Sequence, residues 1–259
     1  NNNDDIPRLI ANAQTSFNII ATLIWFPFIK QLETMATWLI PEDKVKQRTK
    51  YFFPNVKDLS KSPELLFVQS SDAIKQYKNT VKDMLWLSRE CFIQKDSKKI
   101  EELVELRRYQ GEFRSDILEF LSQITKLKLD YESVQKALNQ ISLVNAIENI
   151  AYKLETSLEI LQTGDTDFDQ SFNALEDYFL KTVRYYSKAS NAVLFDSIHS
   201  SQQILEKLNS LRSVEEVLRN LSIDNIRNGK NYEKEKLNLC LLEFIREVNS
   251  TSRRMCTII

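Results

Sequence analysis

The sequence predicts an all-α protein: six long helices in two groups of three, preceded by one helix of transmembrane type and a short interfacial helix. Three observations carry this reading. All five prolines fall within the first 63 of 259 residues, and the chain has only three glycines, so little beyond Pro63 interrupts a helix. Past Pro63, apolar residues recur at three- and four-residue spacing in stretches of about thirty residues, which is the mark of a helix with one buried stripe. Between 9 and 29, a run of 21 residues carries no charge and is closed by Arg8 and Lys30.

At about 1.5 Å per residue that run reaches about 31 Å as a helix, close to the hydrocarbon thickness of a bilayer. Its polar residues Asn12, Gln14, Thr15, Ser16, Asn18 and Thr22 are costly against lipid, because a polar group in hydrocarbon lacks a hydrogen-bond partner. They predict a helix packed on other protein at membrane depth. Residues 31–41 follow as a short amphipathic piece, with Leu32, Met35, Ala36, Leu39 and Ile40 at helical spacing beside Trp38. Lys44, Lys46, Arg48 and Lys50 then place positive charge next to the span, which predicts that residues after about 42 are cytoplasmic. The expected organisation is thus a membrane segment over 1–41, a basic linker over 42–62 and a helical domain over 63–259. The start at Asn1, with no basic n-region or cleavage site, predicts a piece of a longer protein.

Within the helical domain, Pro63 fits a first helical turn with Ser62 as cap. The first stripe is Leu66, Ala73, Ile74, Tyr77, Val81, Met84, Leu85, Cys91 and Phe92, with a break at Asp96 and Ser97. The second is Ile100, Leu103, Leu106, Phe113, Ile117, Phe120 and Ile124. Asp130 can cap a third helix, whose stripe is Val134, Leu138, Ile141, Val144, Ile147, Ala151, Leu154 and Leu158. Gly164-Asp165-Thr166-Asp167 is the clearest interruption. Beyond it, the fourth stripe takes Phe172, Leu175, Phe179, Val183, Tyr186, Ala189 and Val193, and the fifth Ile198, Leu205, Leu208, Leu211, Val214, Leu218 and Leu221. Asn228-Gly229 is a turn signal before the sixth: Leu237, Cys240, Leu241, Phe244, Val248, Thr251 and Met255. Three helices, a break and three more predict an internal repeat of about 95 residues, over about 63–163 and 168–259.

Several kinds of chemistry lack residues to build on. The balance of 35 basic to 36 acidic side chains gives no field that favours nucleic acid, and no basic run is interleaved with stacking aromatics. Cys91, Cys240 and Cys256 show no metal or redox spacing, which suits three reduced thiols. His199 is the single histidine, so a zinc site or a histidine-activated nucleophile has no partner set. Isolated glycines make no phosphate loop. The sequence therefore predicts neither an enzyme nor a bound cofactor.

Residues Ala11-Asn12-Ala13-Gln14-Thr15-Ser16-Phe17-Asn18, with the apolar run on to Pro27 and Phe28, resemble the last transmembrane segment of bacterial sodium/phosphate cotransporters. There the stretch usually reads Ala-Asn-Ala-His-Thr-x-Phe-Asn. Members of that family commonly continue into a cytoplasmic PhoU-like domain of two three-helix repeats, the order expected here. Residues 226–229 and the helix after Leu237 also look like the close of that domain. The resemblance implies a place in the bacterial inner membrane, lipid and a preceding transport domain as partners, and sodium and phosphate handled by the parent protein. It leaves a homodimer possible.

Two departures from the family pattern bear on chemistry. Gln14 stands where histidine is usual, and glutamine cannot titrate near neutrality. In PhoU-like domains a Glu-x-x-x-Asp pattern and a second carboxylate pattern gather metal ions. Here the first falls on Arg107 and Gly111, and in the second only Glu148 survives, with Tyr152 in the final position. A cation needs several oxygen ligands close together, so no metal is expected in the first repeat. The alternative to the cotransporter reading is a self-standing helical interaction or scaffold protein whose apolar start is a buried helix.

Overall fold

The computed structural model describes residues 14, 15, 17, 51–57, 62–94, 97–163 and 170–259. The chain divides into two compact units, Asn1–Thr49 and Lys50–Ile259. Of the first unit, Gln14, Thr15 and Phe17 are helical and exposed. The remainder of the expected transmembrane helix over 9–29, and the interfacial helix over 31–41, lie outside the described residues. Among the described residues no helix is long and apolar enough to cross a membrane.

Among its described residues the second unit contains six helices: α1 (Pro63–Gln94), α2 (Ser97–Thr125), α3 (Tyr131–Thr163), α4 (Gln170–Leu194), α5 (Ile198–Arg227) and α6 (Tyr232–Met255). No strand occurs among the described residues. Their ends follow from local chemistry. Pro63 opens α1, and the Leu65 N–H donates back to the Ser62 carbonyl at 3.0 Å. The Asp130 carboxylate accepts from the Ser133 N–H at 2.7 Å and starts α3. Asn231 does the same for α6, accepting from the Lys234 N–H at 3.2 Å. Between α5 and α6, Gly229 takes φ 72°, a conformation that costs a residue with a Cβ.

α1, α2 and α3 pack mutually, and so do α4, α5 and α6; the halves join where α3 meets α6 and α1 meets α4. Cross-links give the directions. Ser70 lies 2.7 Å from Gln140, and Tyr77 bonds Glu148, so α1 and α3 run the same way. Arg89 pairs with Glu176 while Lys78 bonds Asn191, so α1 and α4 run opposite.

The two halves follow one template at an offset of 101 residues, from Ser97 to Ile198 and from Tyr131 to Tyr232. The offset extends inside the helices. Tyr77 and Tyr178 are both fully buried, as are Val81 and Thr182. The capping residues Asp130 and Asn231 obey it too. The expected spacing of about 95 residues is therefore corrected to 101.

Most predicted stripe residues are buried, each large apolar side chain contributing about 1.5–3 kcal/mol when fully covered. Ile100, Leu106, Val134, Ile141, Leu205, Val214 and Cys240 are half-buried, the side chains of Leu158 and Phe172 lie outside the described residues, and Leu138, Ile198 and Leu221 are exposed by 47, 58 and 45%. Ala137 takes the core position beside Leu138, and Ser201, Ile204, Ser222 and Asn225 form part of the inward face of α5. A 3.6-residue period drifts against any fixed three/four count, so one small or polar residue can take the position that a neighbouring leucine would suggest.

Part of the expected linker belongs to the helical body. Val56 is buried, and the rings of Tyr51 and Phe53 pack on Phe113 and Phe120 of α2 with centroids 5.7 and 4.7 Å apart. The Tyr51 hydroxyl also donates to the Gln69 carbonyl at 3.2 Å. This aromatic strap holds the start of the domain against the first two helices.

Candidate functional site

In the first half, the inner faces of α1, α2 and α3 surround a polar centre. Arg107 on α2 and Glu148 on α3 meet at 2.9 Å, with side chains 19 and 21% exposed. Arg107 Nε also donates to Glu155, two turns along α3, at 3.0 Å. Glu148 Oε2 accepts from the Tyr77 hydroxyl and from the Gln110 amide, each at 2.9 Å. Gln110 closes the ring by accepting from Arg107 and donating to Tyr77.

The helices place these groups by simple spacing. Arg107 and Gln110 are three residues apart on α2, and Glu148 and Glu155 seven apart on α3, so each pair shares a face. Burial by itself would raise the Glu148 pKa. The bonds from Gln110, Arg107 and Tyr77, together with the Arg107 charge, outweigh it and hold the carboxyl below its ordinary value. Burial would likewise lower Arg107, and its bonds to Glu148 and Glu155 reverse that. Burial, with Glu148 close by, pushes the Tyr77 phenol far up, so it stays protonated and donates.

Of the positions singled out in the sequence, Arg107 and Glu148 are brought together. Gly111, one turn after Arg107, has nothing within 4 Å of where a Cβ would stand. Tyr152, one turn after Glu148, is 54% exposed. Neither contributes to the centre. Gln14 and Thr15 are exposed helical residues, while Asn12, Ser16 and Asn18 lie outside the described residues. Tyr77, Gln110 and Glu155 were missed by sequence reasoning. The heptad spacing of Glu148 and Glu155 is the one signal that could have found the last.

The donor set does not fit a metal ion. Two carboxylates, a phenol and an amide oxygen resemble a hard-cation shell, but the Arg107 guanidinium binds both carboxylates and supplies the positive charge itself. Among the described residues no group of three or more His, Cys, Asp or Glu side chains could hold a metal. The equivalent place in the second half is less polar still. At the offset of 101 residues, Asn249 replaces Glu148 and Leu208 replaces Arg107. The Asn249 amide donates to the Tyr178 hydroxyl at 3.4 Å and to the Leu208 carbonyl at 3.5 Å.

Comparison of the chain with protein-family models, with curated proteins and with solved structures finds no match.

Proposed function

We infer that this chain is the C-terminal part of a bacterial sodium/phosphate cotransporter, with 9–29 as its last transmembrane helix and the six-helix body as a cytoplasmic PhoU-like domain. In this reading the domain catalyses nothing and regulates transport or docks partners. The observation that carries it is the order of parts: an Ala-Asn-Ala-x-Thr-x-Phe-Asn segment in an uncharged run, a basic stretch, then two three-helix halves at an offset of 101 residues. The Arg107 centre fits a PhoU-like half in which a guanidinium stands in for the cation.

Membrane fractionation tests the reading. Expressed in bacteria, the chain should stay in the pellet after a carbonate wash and move to the supernatant only with detergent. Release by carbonate alone would remove the membrane reading and favour a self-standing helical protein.

A further inference from the structure

The corner between α4 and α5 contains a hollow of about 480 Å³, in the size range of small-ligand sites. Its polar lining is Lys188, Asn191, Ser197, Ser200 and Gln203, and no carboxylate lines it among the described residues. Behind it lies Lys78 of α1, 4% exposed. Its ammonium donates to the Asn191 side-chain oxygen at 2.5 Å. An ammonium requires an acceptor, so Asn191 presents its oxygen inward and keeps its amide N–H groups for a partner outside the protein.

Lys188 is the charged side chain in the lining, and the exposed Asp196 in the turn brings one carboxylate to the rim. Burial lowers the Lys78 pKa, and its influential charged neighbours, Lys82 and Lys75, lower it further. No carboxylate pairs with any of these three lysines or with Lys188 among the described residues. A buried lysine without a counter-ion is costly unless an anion comes close. Ser197 donates to Ser200 at 2.8 Å, which leaves the Ser200 proton free to turn into the hollow. On the rim, Phe195 and Ile198 are exposed by 68 and 58%. Asp196 holds φ 53° in the turn between them, so the backbone is strained where the rim is set.

We propose that the α4–α5 corner binds a phosphate group, held by the Lys188 ammonium, the Asn191 amide and the Ser200 hydroxyl, with the buried Lys78 fixing Asn191 and adding charge from behind. Convergent N–H and O–H donors with an excess of positive charge suit a multi-oxygen anion. The hollow is larger than a bare anion, and the apolar rim suits a phosphate carried on a larger body. Both inorganic phosphate and a lipid headgroup share this chemistry. The site lies apart from the Arg107 centre and does not depend on the transporter reading.

The test is calorimetric titration of the full chain in detergent at pH 7, with inorganic phosphate in one arm and glycerol 3-phosphate, the soluble headgroup, in the other. Two variants separate this site from nonspecific attraction. Lys188→Gln removes an exposed charge and leaves the fold alone. Asn191→Asp gives Lys78 a counter-ion while placing negative charge in the hollow, and a thermal melt verifies that it folds. The expected result is saturable binding in at least one arm, weakened about tenfold or more by Lys188→Gln and lost in Asn191→Asp. Binding of inorganic phosphate identifies a free anion site; binding of glycerol 3-phosphate alone identifies a headgroup site. No saturable binding in either arm, or affinities unchanged in both variants, overturns the proposal. Lys188→Gln decides the matter alone if Asn191→Asp does not fold.

Discussion

The Arg107 guanidinium lies 2.9 Å from the Glu148 carboxylate, across the groove between the second and third helices, and bonds Glu155 at 3.0 Å with the same side chain. Glu148 also holds the Tyr77 hydroxyl of the first helix. One ion pair therefore ties together all three helices of the first half. Its energy lies between two limits, since both partners keep about a fifth of their side-chain surface in water.

Arg107→Leu should destabilise the helical domain by about 2 kcal/mol, between the ~0.2–1 kcal/mol of exposed pairs and the ~3–5 kcal/mol of breaking a fully buried one. The cost comes from leaving Glu148 half-buried without its counter-ion. Adding Glu148→Gln to the same chain should return part of it, because a glutamine oxygen still accepts from Tyr77 and Gln110 without carrying charge. Urea unfolding of the wild type, both single variants and the double variant measures this. Purely additive losses would show that the pair carries no coupling.

The same centre sets a pH dependence. The Glu148 pKa is lower in the folded than in the unfolded chain. Its contribution is thus fully present above the unfolded value, about 4.3, and fades as pH falls through the folded one. The stability deficit of Glu148→Gln should be constant from pH 7 to about pH 5, then shrink below about pH 4.3 as the wild-type carboxyl takes up its proton. Urea midpoints across this range supply the check. A deficit that grows with acid would mean that the native state favours the protonated acid.

Two glycines should respond to alanine with opposite sign. Gly111 sits inside α2 with open space around its Cβ position. Alanine there should stabilise by about 0.5–1 kcal/mol through helix propensity and lower unfolded-state entropy. Gly229 has equally open space but φ 72°, so alanine should cost about 1 kcal/mol from backbone strain alone. Thermal melts of the two variants should move in opposite directions.

The six helices were legible because helix periodicity and Pro/Gly punctuation are local signals, while the expected interruption at Gly164 lies outside the described residues. The polar centre was not. Tyr77 and Glu148 are 71 residues apart, and only the parallel run of α1 and α3 makes them neighbours. Arg107 and Glu148 drew attention through a family pattern that neither side chain completes, whereas Gln110 resembles any surface glutamine until the packing of α2 buries it. Tyr51 and Phe53 follow a basic stretch and flank a proline, so the sequence places them in a linker; their rings find apolar partners on α2 that no local rule reveals. Leu138 and Leu221 show the converse, apolar residues left on the surface because a small or polar neighbour fills the inward position.

The offset of 101 residues makes the first half a template for improving the second. Thr182 is fully buried, and its hydroxyl has no hydrogen-bond partner among the described residues. The equivalent residue in the first half is Val81, also fully buried, which has the same shape without the polar atom. An unsatisfied buried hydroxyl costs about 1–3 kcal/mol, and valine removes it without changing the volume. Thr182→Val should therefore stabilise the domain by about 1 kcal/mol, seen as a higher urea midpoint with an unchanged slope. The reverse change, Val81→Thr, should destabilise by a similar amount, because it puts the orphan hydroxyl into the half that lacks one. A loss of stability in Thr182→Val would show that the hydroxyl has a partner, and that the two halves are not interchangeable at this position.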